Sequence, residues 1–374
     1  MKIALVHDYL SQDGGAERVL RAFHELWPDA PIFVLFHKPG SVEGFENADI
    51  RESFIRWLPF GRTKFQWYLP WMPLATERHN LHQFDVVLSS TSAFAKGVLT
   101  RPDTLHVSYC HTPTRYLWTD THEYIADLPY NPLVKALLPR LIHHLRIWDQ
   151  MSVDRVDHFI ANSRTVHGRI QKYYRRDSDI IYPPVAFENF SLTNEIGDYF
   201  VSGGRLVPYK KFDLLVRVFN RLGWKLKIYG TGPSLNYLKK IAKPNIEFLG
   251  RVTEVQKAEL LAKAKAFLHP QVEDLGITPL EAMAAGRPVI AYGVGGATET
   301  VIPNKTGLLF FEQNWESLYQ TLREFDANQW NSNEIRGWAE RFSADRFKVR
   351  ITQYITEKFA DHQNNQARCK LGVR

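Results

Sequence analysis

Cysteine is scarce in this sequence. Only Cys110 and Cys369 occur among the 374 residues, they lie far apart, and neither has metal-ligating residues at a useful spacing. This scarcity excludes a disulfide framework and a cysteine-based zinc site. It is typical of a protein from a reducing compartment.

Long apolar runs are also missing. Residues 1–8 read as a short strand that leads directly into a loop, without the apolar stretch of a signal peptide. No later segment reaches the roughly 20 apolar residues that cross a bilayer. We therefore expect a cytoplasmic protein.

The first half of the chain lacks a net charge. Residues 1–190 contain as many acidic as basic side chains, so the whole excess of +7 lies in residues 191–374. A basic half suits a polyanionic ligand such as a nucleoside diphosphate. Because no long Lys/Arg run and no nucleic-acid-binding motif is present, we do not expect nucleic acid as a partner.

What the sequence does contain is a regular alternation of short apolar runs with helical patterns. At this length two domains are expected, and the alternation is typical of α/β folds with parallel sheets. Candidate strands of the first half are Ile3–His7, Ile32–Phe36, Asp85–Ser89, Leu105–Tyr109 and His158–Ala161, with a long helix predicted over 132–156. A second series comprises Tyr199–Gly204, Leu226–Tyr229, Ile246–Leu249, Ala266–His269, Val289–Tyr292 and Gly307–Phe310.

Two prolines, at 183 and 184, separate the two series. Proline does not continue a helix and biases the preceding residue to an extended conformation, so a linker is predicted at 183–198. The predicted domains are 1–182 and 199–345, followed by a C-terminal segment at 346–374. Doubly wound sheets bind ligands at the carboxyl ends of their strands, and two such domains facing each other place both edges on one cleft.

The most informative segment is 269–286. A strand ends near His269, a loop carries Glu273 and Gly276, and a helix is predicted to begin near Pro279, a residue suited to a first helical turn. Free backbone N–H groups at such a start suit a phosphate. Glu281, inside the helix, is placed to accept hydrogen bonds from a ribose diol, and Glu273 from the hydroxyls of a sugar. A single glutamate here would equally complement the helix dipole.

The whole segment resembles the E-x7-E signature of the family 4 retaining glycosyltransferases, which have the GT-B fold of two Rossmann-like domains facing a central cleft. The resemblance implies a set of residues that bind the nucleotide sugar: Glu273, Asp274, Leu275, Gly276, Ile277, Thr278 and Glu281.

The segment 203–211 is similar to the Gly-Arg-Leu…Lys segment of the same family. The resemblance implies that Arg205 and one lysine bind the donor diphosphate. Family spacing favours Lys210, while Lys211 occupies a position where glycine is common, so both lysines stay candidates. Two cations beside a departing diphosphate stabilise the developing charge as a metal would. No metal and no cofactor is therefore expected.

Four further segments resemble those of the family. Gly230-Thr231-Gly232-Pro233 lacks the third glycine of a dinucleotide fingerprint, which favours a tight packing turn. Arg251 and Val252 follow the next strand, where relatives bring backbone to the base. In the first half, Gly14 and Gly15 let backbone amides approach a ligand closely. His111, at a strand end, matches the active-site histidine beside the donor sugar.

Two other segments carry competing interpretations. Asp177-Ser178-Asp179 is formally a D-x-D metal signature. It lies in a charged loop between a helix and a strand predicted at Ile180, far from the other motifs, and is interpreted as a solvated loop. Residues 54–72 are rich in Trp, Phe, Leu and Pro, with Arg and Lys but no acid. They predict either a lobe that meets a membrane surface or a lipid-linked acceptor, or an ordinary packed insertion.

The resemblance implies a retaining hexosyltransferase. It would move a hexose from UDP-glucose or GDP-mannose to a growing, lipid-linked poly- or oligosaccharide, at the inner face of the membrane. The leaving phosphate helps to deprotonate the acceptor, so the catalytic residues are His111, Arg205, Lys210 and Glu273, without a general base. A helix at about 347–360 would return to the first domain. Two alternatives remain open: a non-hydrolysing nucleotide-sugar epimerase and a non-catalytic sugar-nucleotide-binding subunit.

Overall fold

The computed structural model describes residues 1–127 and 131–370. The chain divides into two compact units, the first formed by Met1–Pro184 with Phe347–Arg374 and the second by Val185–Arg346. Each unit is built on one parallel sheet with helices, so the predicted α/β class with two Rossmann-like domains is confirmed.

The sheet of the first unit has seven parallel strands in the order β3-β2-β1-β4-β5-β6-β7. These are β1 (Ile3–His7), β2 (Ile32–Val34), β3 (Ile50–Glu52), β4 (Val86–Thr91), β5 (Leu105–Cys110), β6 (His158–Ala161) and β7 (Asp179–Ile180). The sequence lists five of them as candidate strands and places a further strand at Ile180, where β7 ends. It does not predict β3, because this edge strand is short, is not fully buried and contains no apolar run.

Among the described residues, the α-helices of this unit are α1 (Gly15–Leu26), α2 (Met72–Glu77), α3 (Arg115–Trp118), α4 (Thr121–Asp127), α5 (Pro132–Val153), α6 (Arg164–Arg169) and most of α14 (Ala344–Lys370). The C-terminal helix α14 is longer than predicted. Its Phe347, Ile351 and Ile355 are buried in the core of this unit, where Phe347 stacks on Phe23 at 5.8 Å between ring centroids.

The second unit has a six-stranded parallel sheet in the order β10-β9-β8-β11-β12-β13. Its strands are β8 (Tyr199–Gly203), β9 (Lys225–Tyr229), β10 (Ile246–Gly250), β11 (Phe267–His269), β12 (Val289–Tyr292) and β13 (Gly307–Phe310). Its helices are α7 (Phe212–Leu222), α8 (Leu235–Ile241), α9 (Glu254–Ala262), α10 (Ile277–Ala284), α11 (Ala297–Thr300), α12 (Trp315–Glu324) and α13 (Ser332–Ala339).

The predicted linker at 183–198 is a packed part of the second unit from Val185 onward. The Val185 N–H donates to the Phe342 carbonyl over 2.9 Å, and the Val185 carbonyl accepts from Ala344 N–H at 3.0 Å. Arg336 donates to the carbonyl of Phe190 at 2.7 Å. These hydrogen bonds to the backbone hold the segment in place, although its prolines and polar residues had predicted an inter-domain linker.

None of the helices within the described residues combines the length and apolar character that a bilayer crossing needs.

Candidate active site

Two loops meet at the carboxyl ends of β8 and β11 in the second unit. The strands are neighbours, paired at Val201 and Phe267, and the chain winds away from this point in both directions across the sheet. Ligands of such sheets bind at this switch point. The loop after β8 contains 204–211 and the loop after β11 contains 270–276.

Glycines at this edge of the sheet let neighbouring backbone segments lie close together, because they carry no side chain. Gly204 has a φ of +128°, and its N–H donates to the Tyr229 carbonyl at 3.1 Å. A Cβ on Gly230 would lie 1.9 Å from the carbonyl oxygen of Gly204, and one on Gly232 would lie 2.3 Å from that of Leu206. The 230–233 turn therefore packs tightly against the loop after β8, as predicted for it.

Lys210 and Lys211 differ sharply in their surroundings. The ammonium of Lys210 lies 2.8 Å from Oε1 of Glu273, and its side chain is only 16% exposed. Lys211 is exposed and has a φ of +54° at the boundary between a 3-10 turn and α7. That left-handed conformation favours glycine, which accounts for the glycine that is common at this position and makes the lysine unusual.

Glu273 is the central carboxylate of this edge. Besides Lys210, the side-chain amide of Gln271 donates to it at 3.3 Å. Burial by itself raises the pKa of the Glu273 carboxyl, but the Lys210 ammonium, the nearby His269 and these hydrogen bonds outweigh burial and hold the pKa below its ordinary value. The carboxylate is therefore ionised at neutral pH and able to accept hydrogen bonds from hydroxyl groups.

His269 and Gln271 lie beside Glu273 and are themselves buried. Burial lowers the pKa of His269 to about 4, so its ring is neutral. Within the described ranges, Nδ1 of His269 and Oε1 of Gln271 have no hydrogen-bond partner. Buried polar atoms are rarely left unpaired in proteins, and a bound ligand or water is a common partner.

The start of α10 is shaped by the predicted Gly276 and by two glycines that were not predicted, Gly295 and Gly296. Gly276 precedes the helix with a φ of +86°. A Cβ on Gly296 would lie 2.2 Å from Cα of Leu275, and the Gly296 N–H donates to the Glu273 carbonyl at 2.9 Å. Gly295 and Gly296 thus hold the 273–276 loop by direct backbone contact. The predicted residues Asp274, Leu275, Ile277 and Thr278 lie in this loop and the first turn of α10.

Glu281 lies in the second turn of α10 and is buried, 3% exposed. The Lys257 ammonium, from α9, donates to its Oε1 at 2.9 Å and also lies 2.7 Å from Glu254. Lys257 was not predicted, because a lysine in a helical pattern is usually a solvated residue.

The remaining predicted residues of this unit lie in exposed loops. Arg205 follows β8, while Arg251 and Val252 lie between β10 and the capped start of α9 at Thr253. In the described part of the chain, neither arginine side chain forms an ion pair or a hydrogen bond. Gly250, next to Arg251, accepts from Gly230 N–H, which ties this loop to the glycine turn.

In the first unit, the switch point lies between β1 and β4. Gly14 and Gly15 precede and begin α1, and a Cβ on Gly14 would lie 3.0 Å from Oε2 of Glu17. His111 follows β5, and its Nε2 lies 2.8 Å from Oγ of Ser90 at the end of β4. Burial, and then the charge of His7, lower the pKa of His111 to about 3.

The D-x-D segment at 177–179 leads into the edge strand β7. Asp179 begins β7, and Tyr354 of α14 donates to its carboxylate at 2.9 Å, so this aspartate fastens the C-terminal helix. Across residues 1–127 and 131–370, no cluster of three His, Cys, Asp or Glu side chains suits a metal ion.

The segment 54–72 packs on one side only. Ile55 and Met72 are buried in the first unit, whereas Trp57, Phe60, Trp67 and Trp71 are 74%, 62%, 55% and 54% exposed.

Comparison with known proteins assigns the family. Residues 13–189 match glycosyltransferase family 4, and residues 186–341 match the glycosyl transferases group 1. The chain belongs to the family 4, or group 1, glycosyltransferases.

Two curated relatives of this glycosyltransferase are mannosyltransferases. The O-antigen chain mannosyltransferase RfbU of Salmonella typhimurium is 26% identical over 57% of this chain and 64% of its own length. A GDP-mannose-dependent alpha-(1-6)-phosphatidylinositol monomannoside mannosyltransferase of Mycobacterium tuberculosis is 42% identical over 28% of this chain and 32% of its own. The chain spans about half the length of the curated relatives it matches.

A solved structure shares the fold of this glycosyltransferase. Sucrose-phosphate synthase from Thermosynechococcus elongatus aligns with a TM-score of 0.73 at 15% identity, over 96% of this chain and 100% of the other. The expected GT-B fold class is therefore confirmed.

Proposed function

We propose that this protein is a retaining hexosyltransferase that uses a nucleotide sugar and passes the hexose to a saccharide acceptor, including a lipid-linked one. The observation that carries the proposal is the Lys210–Glu273 pair at the carboxyl ends of β8 and β11. It places a cation suited to a diphosphate directly beside an ionised carboxylate suited to sugar hydroxyls. The mannosyltransferase relatives favour GDP-mannose as the donor over UDP-glucose.

In the proposed reaction, the bond between the anomeric carbon and the diphosphate oxygen breaks, and its electron pair leaves with the diphosphate. Lys210 and Arg205 stabilise that charge without a metal ion. The acceptor hydroxyl attacks from the side that the diphosphate leaves, and its proton passes to a phosphate oxygen. Configuration is therefore retained. Glu273 binds the sugar hydroxyls as positive charge builds on the ring, and His111 is proposed to contact the same sugar.

A panel of nucleotide sugars tests this proposal. We expect GDP-mannose to bind and to raise the unfolding temperature of the protein, and the bare GDP to bind as well. If UDP-glucose bound and GDP-mannose did not, the proposed donor would change but the proposed mechanism would stay the same. Conversion of a donor to its epimer without any acceptor would instead establish an epimerase, and binding without any turnover a non-catalytic subunit.

The Glu281→Ala variant tests the proposed ribose contact. A hydrogen bond to a charged group is worth roughly 1.5–3 kcal/mol, so affinity for the bare nucleoside diphosphate should fall about ten- to a hundred-fold. Calorimetry measures this affinity. Glu254→Gln is the matched control, because it removes the exposed carboxylate beside the same Lys257 and should leave the affinity unchanged. Full affinity in a folded Glu281→Ala protein would refute the assignment.

We also propose that the aromatic lobe at 54–72 contacts the membrane surface. Exposed tryptophans suit the headgroup region of a bilayer. Cations lie against them, with Lys64 4.7 Å from the Trp67 ring centroid and Arg56 4.0 Å from that of Trp57.

Co-sedimentation with lipid vesicles tests this proposal. We expect the wild-type protein to sediment with vesicles that contain anionic phosphatidylglycerol. The triple variant Trp57→Ala/Trp67→Ala/Trp71→Ala should reduce this binding by about ten-fold or more, since burial of each large side chain is worth roughly 1.5–3 kcal/mol at most. Phe311→Ala, which removes an equally exposed aromatic ring of the second unit, is the control. If the wild-type protein, the triple variant and Phe311→Ala bound the vesicles equally, the aromatic lobe would not be the membrane-binding surface.

A further inference from the structure

Four polar side chains, three of them buried and one, His111, half-buried, lie in a row next to one another in the first unit. Oε1 of Glu17 lies 3.8 Å from Nε2 of His7, Nδ1 of His7 lies 3.1 Å from Oγ of Ser90, and Oγ of Ser90 lies 2.8 Å from Nε2 of His111. His7, Glu17 and Ser90 are 3%, 5% and 0% exposed. Only His111 belongs to the site predicted from sequence.

The hydrogen-bond partners determine where the protons lie. Nδ1 of His7 is also 3.1 Å from the carbonyl oxygen of Ser90, which only accepts, so Nδ1 of His7 carries a proton. That nitrogen is then a donor toward the Ser90 hydroxyl too. Across the described ranges, the Ser90 hydroxyl has one further contact, Nε2 of His111, which must therefore accept its proton.

His111 is consequently the tautomer with its proton on Nδ1. Its low pKa, caused by burial, keeps the ring neutral at physiological pH. The backbone of His111 is fixed as well, because its N–H donates to the Thr91 carbonyl at 2.8 Å and its carbonyl accepts from Asn162 at 2.9 Å. Among the residues that the structure describes, Nδ1 of His111 contacts no polar group, so its N–H is available to a ligand.

We infer that Ser90, His7 and Glu17 are positioning residues that hold His111 as a neutral hydrogen-bond donor through Nδ1. The ligand group is an acceptor oxygen, and under the proposed function it is a hydroxyl oxygen of the transferred hexose. Glu17 also lies against the Gly14–Gly15 loop, because a Cβ at position 14 would lie only 3.0 Å from its Oε2. The loop's glycine thus leaves room for the carboxylate that faces His7.

Nitrogen-15 NMR of the histidine-labelled protein tests the inference without any substrate. Long-range proton–nitrogen spectra distinguish the two neutral tautomers, and His111→Gln identifies the His111 signals. We expect a protonated Nδ1 and an unprotonated Nε2 in the wild-type protein at pH 7. A protonated Nε2 in the wild-type protein would overturn the inference, whatever the variants do.

Variants at two adjacent serines supply the matched comparison. Ser89 donates to or accepts from Nε2 of the buried His106 at 3.0 Å, on the same strand but away from His111. In Ser90→Ala, the His111 signals should show a mixture of both neutral tautomers. Ser89→Ala should change the His106 signals only. Ser90→Thr keeps the hydroxyl and should restore the wild-type spectrum.

Kinetics give the second readout. Ser90→Ala should lower kcat about ten-fold, the scale of one hydrogen bond, without a change in nucleoside diphosphate affinity. Ser90→Thr should recover it. If the donor panel yields no turnover but His111 has the expected tautomer, the proposed function fails and the positioning role stands. If transfer occurs and Ser90→Ala changes neither the spectrum nor kcat, the positioning role is wrong.

Discussion

Glu273→Gln should lose about a hundred-fold in transfer rate while it keeps its affinity for the bare nucleoside diphosphate. The carboxylate is ionised because Lys210, His269 and Gln271 together outweigh the effect of burial, which raises its pKa. As positive charge builds on the sugar ring, the contacts of this carboxylate strengthen, and a hydrogen bond to a charged group is worth roughly 1.5–3 kcal/mol. The amide has nearly the same shape but no charge, so the loss falls on turnover.

Calorimetry with the nucleoside diphosphate and single-turnover transfer separate binding from chemistry for this variant. Glu247→Gln is the control, since it removes a glutamate from an exposed Lys–Glu pair of the same unit, with 3.7 Å to Lys227. Its rate and affinity should match those of the wild-type protein. A Glu273→Gln protein that bound the diphosphate poorly and transferred at the wild-type rate when saturated would reverse the proposed orientation of the donor.

Lys210→Ala should reduce transfer by about 10²–10³-fold, the scale on which one preorganised electrostatic group contributes to catalysis. It also removes the main neighbour that lowers the pKa of Glu273, so that pKa should rise. The acid limb of the rate profile therefore moves to higher pH. Lys210→Arg keeps the charge and should recover part of the rate.

Lys211→Gly is the comparison that separates the two lysines. It also removes a cation, but it places glycine where the backbone is left-handed, so the fold should tolerate it well. We expect less than a ten-fold loss for Lys211→Gly. A larger loss there than in Lys210→Ala would assign the diphosphate contact to Lys211 instead.

Most of the fold could be predicted from the sequence because the buried parallel strands are short apolar runs. β6, β12 and β13 have the predicted ends. The misses have local causes. β3 is a short edge strand without an apolar run, and the segment after Val185 is held by backbone hydrogen bonds that leave no compositional trace.

The site was only partly predictable. Motif resemblance located Lys210 and Glu273, but their 2.8 Å contact joins two loops that are distant in sequence. Lys257 gave no signal, because a lysine in a helix is an ordinary residue until its partner is known. Polar residues at the carboxyl ends of strands next to a switch point are the signal that points to Ser90 and His7.

The most direct test of the central claim is donor turnover by the purified wild-type protein in the presence of excess EDTA, with a saccharide acceptor. We expect nucleoside diphosphate to be released together with a glycoside of unchanged anomeric configuration, at nearly the rate measured without the chelator. This result follows if Lys210 and Arg205 stabilise the leaving diphosphate. A strict requirement for magnesium or manganese, or an inverted product, would contradict the account.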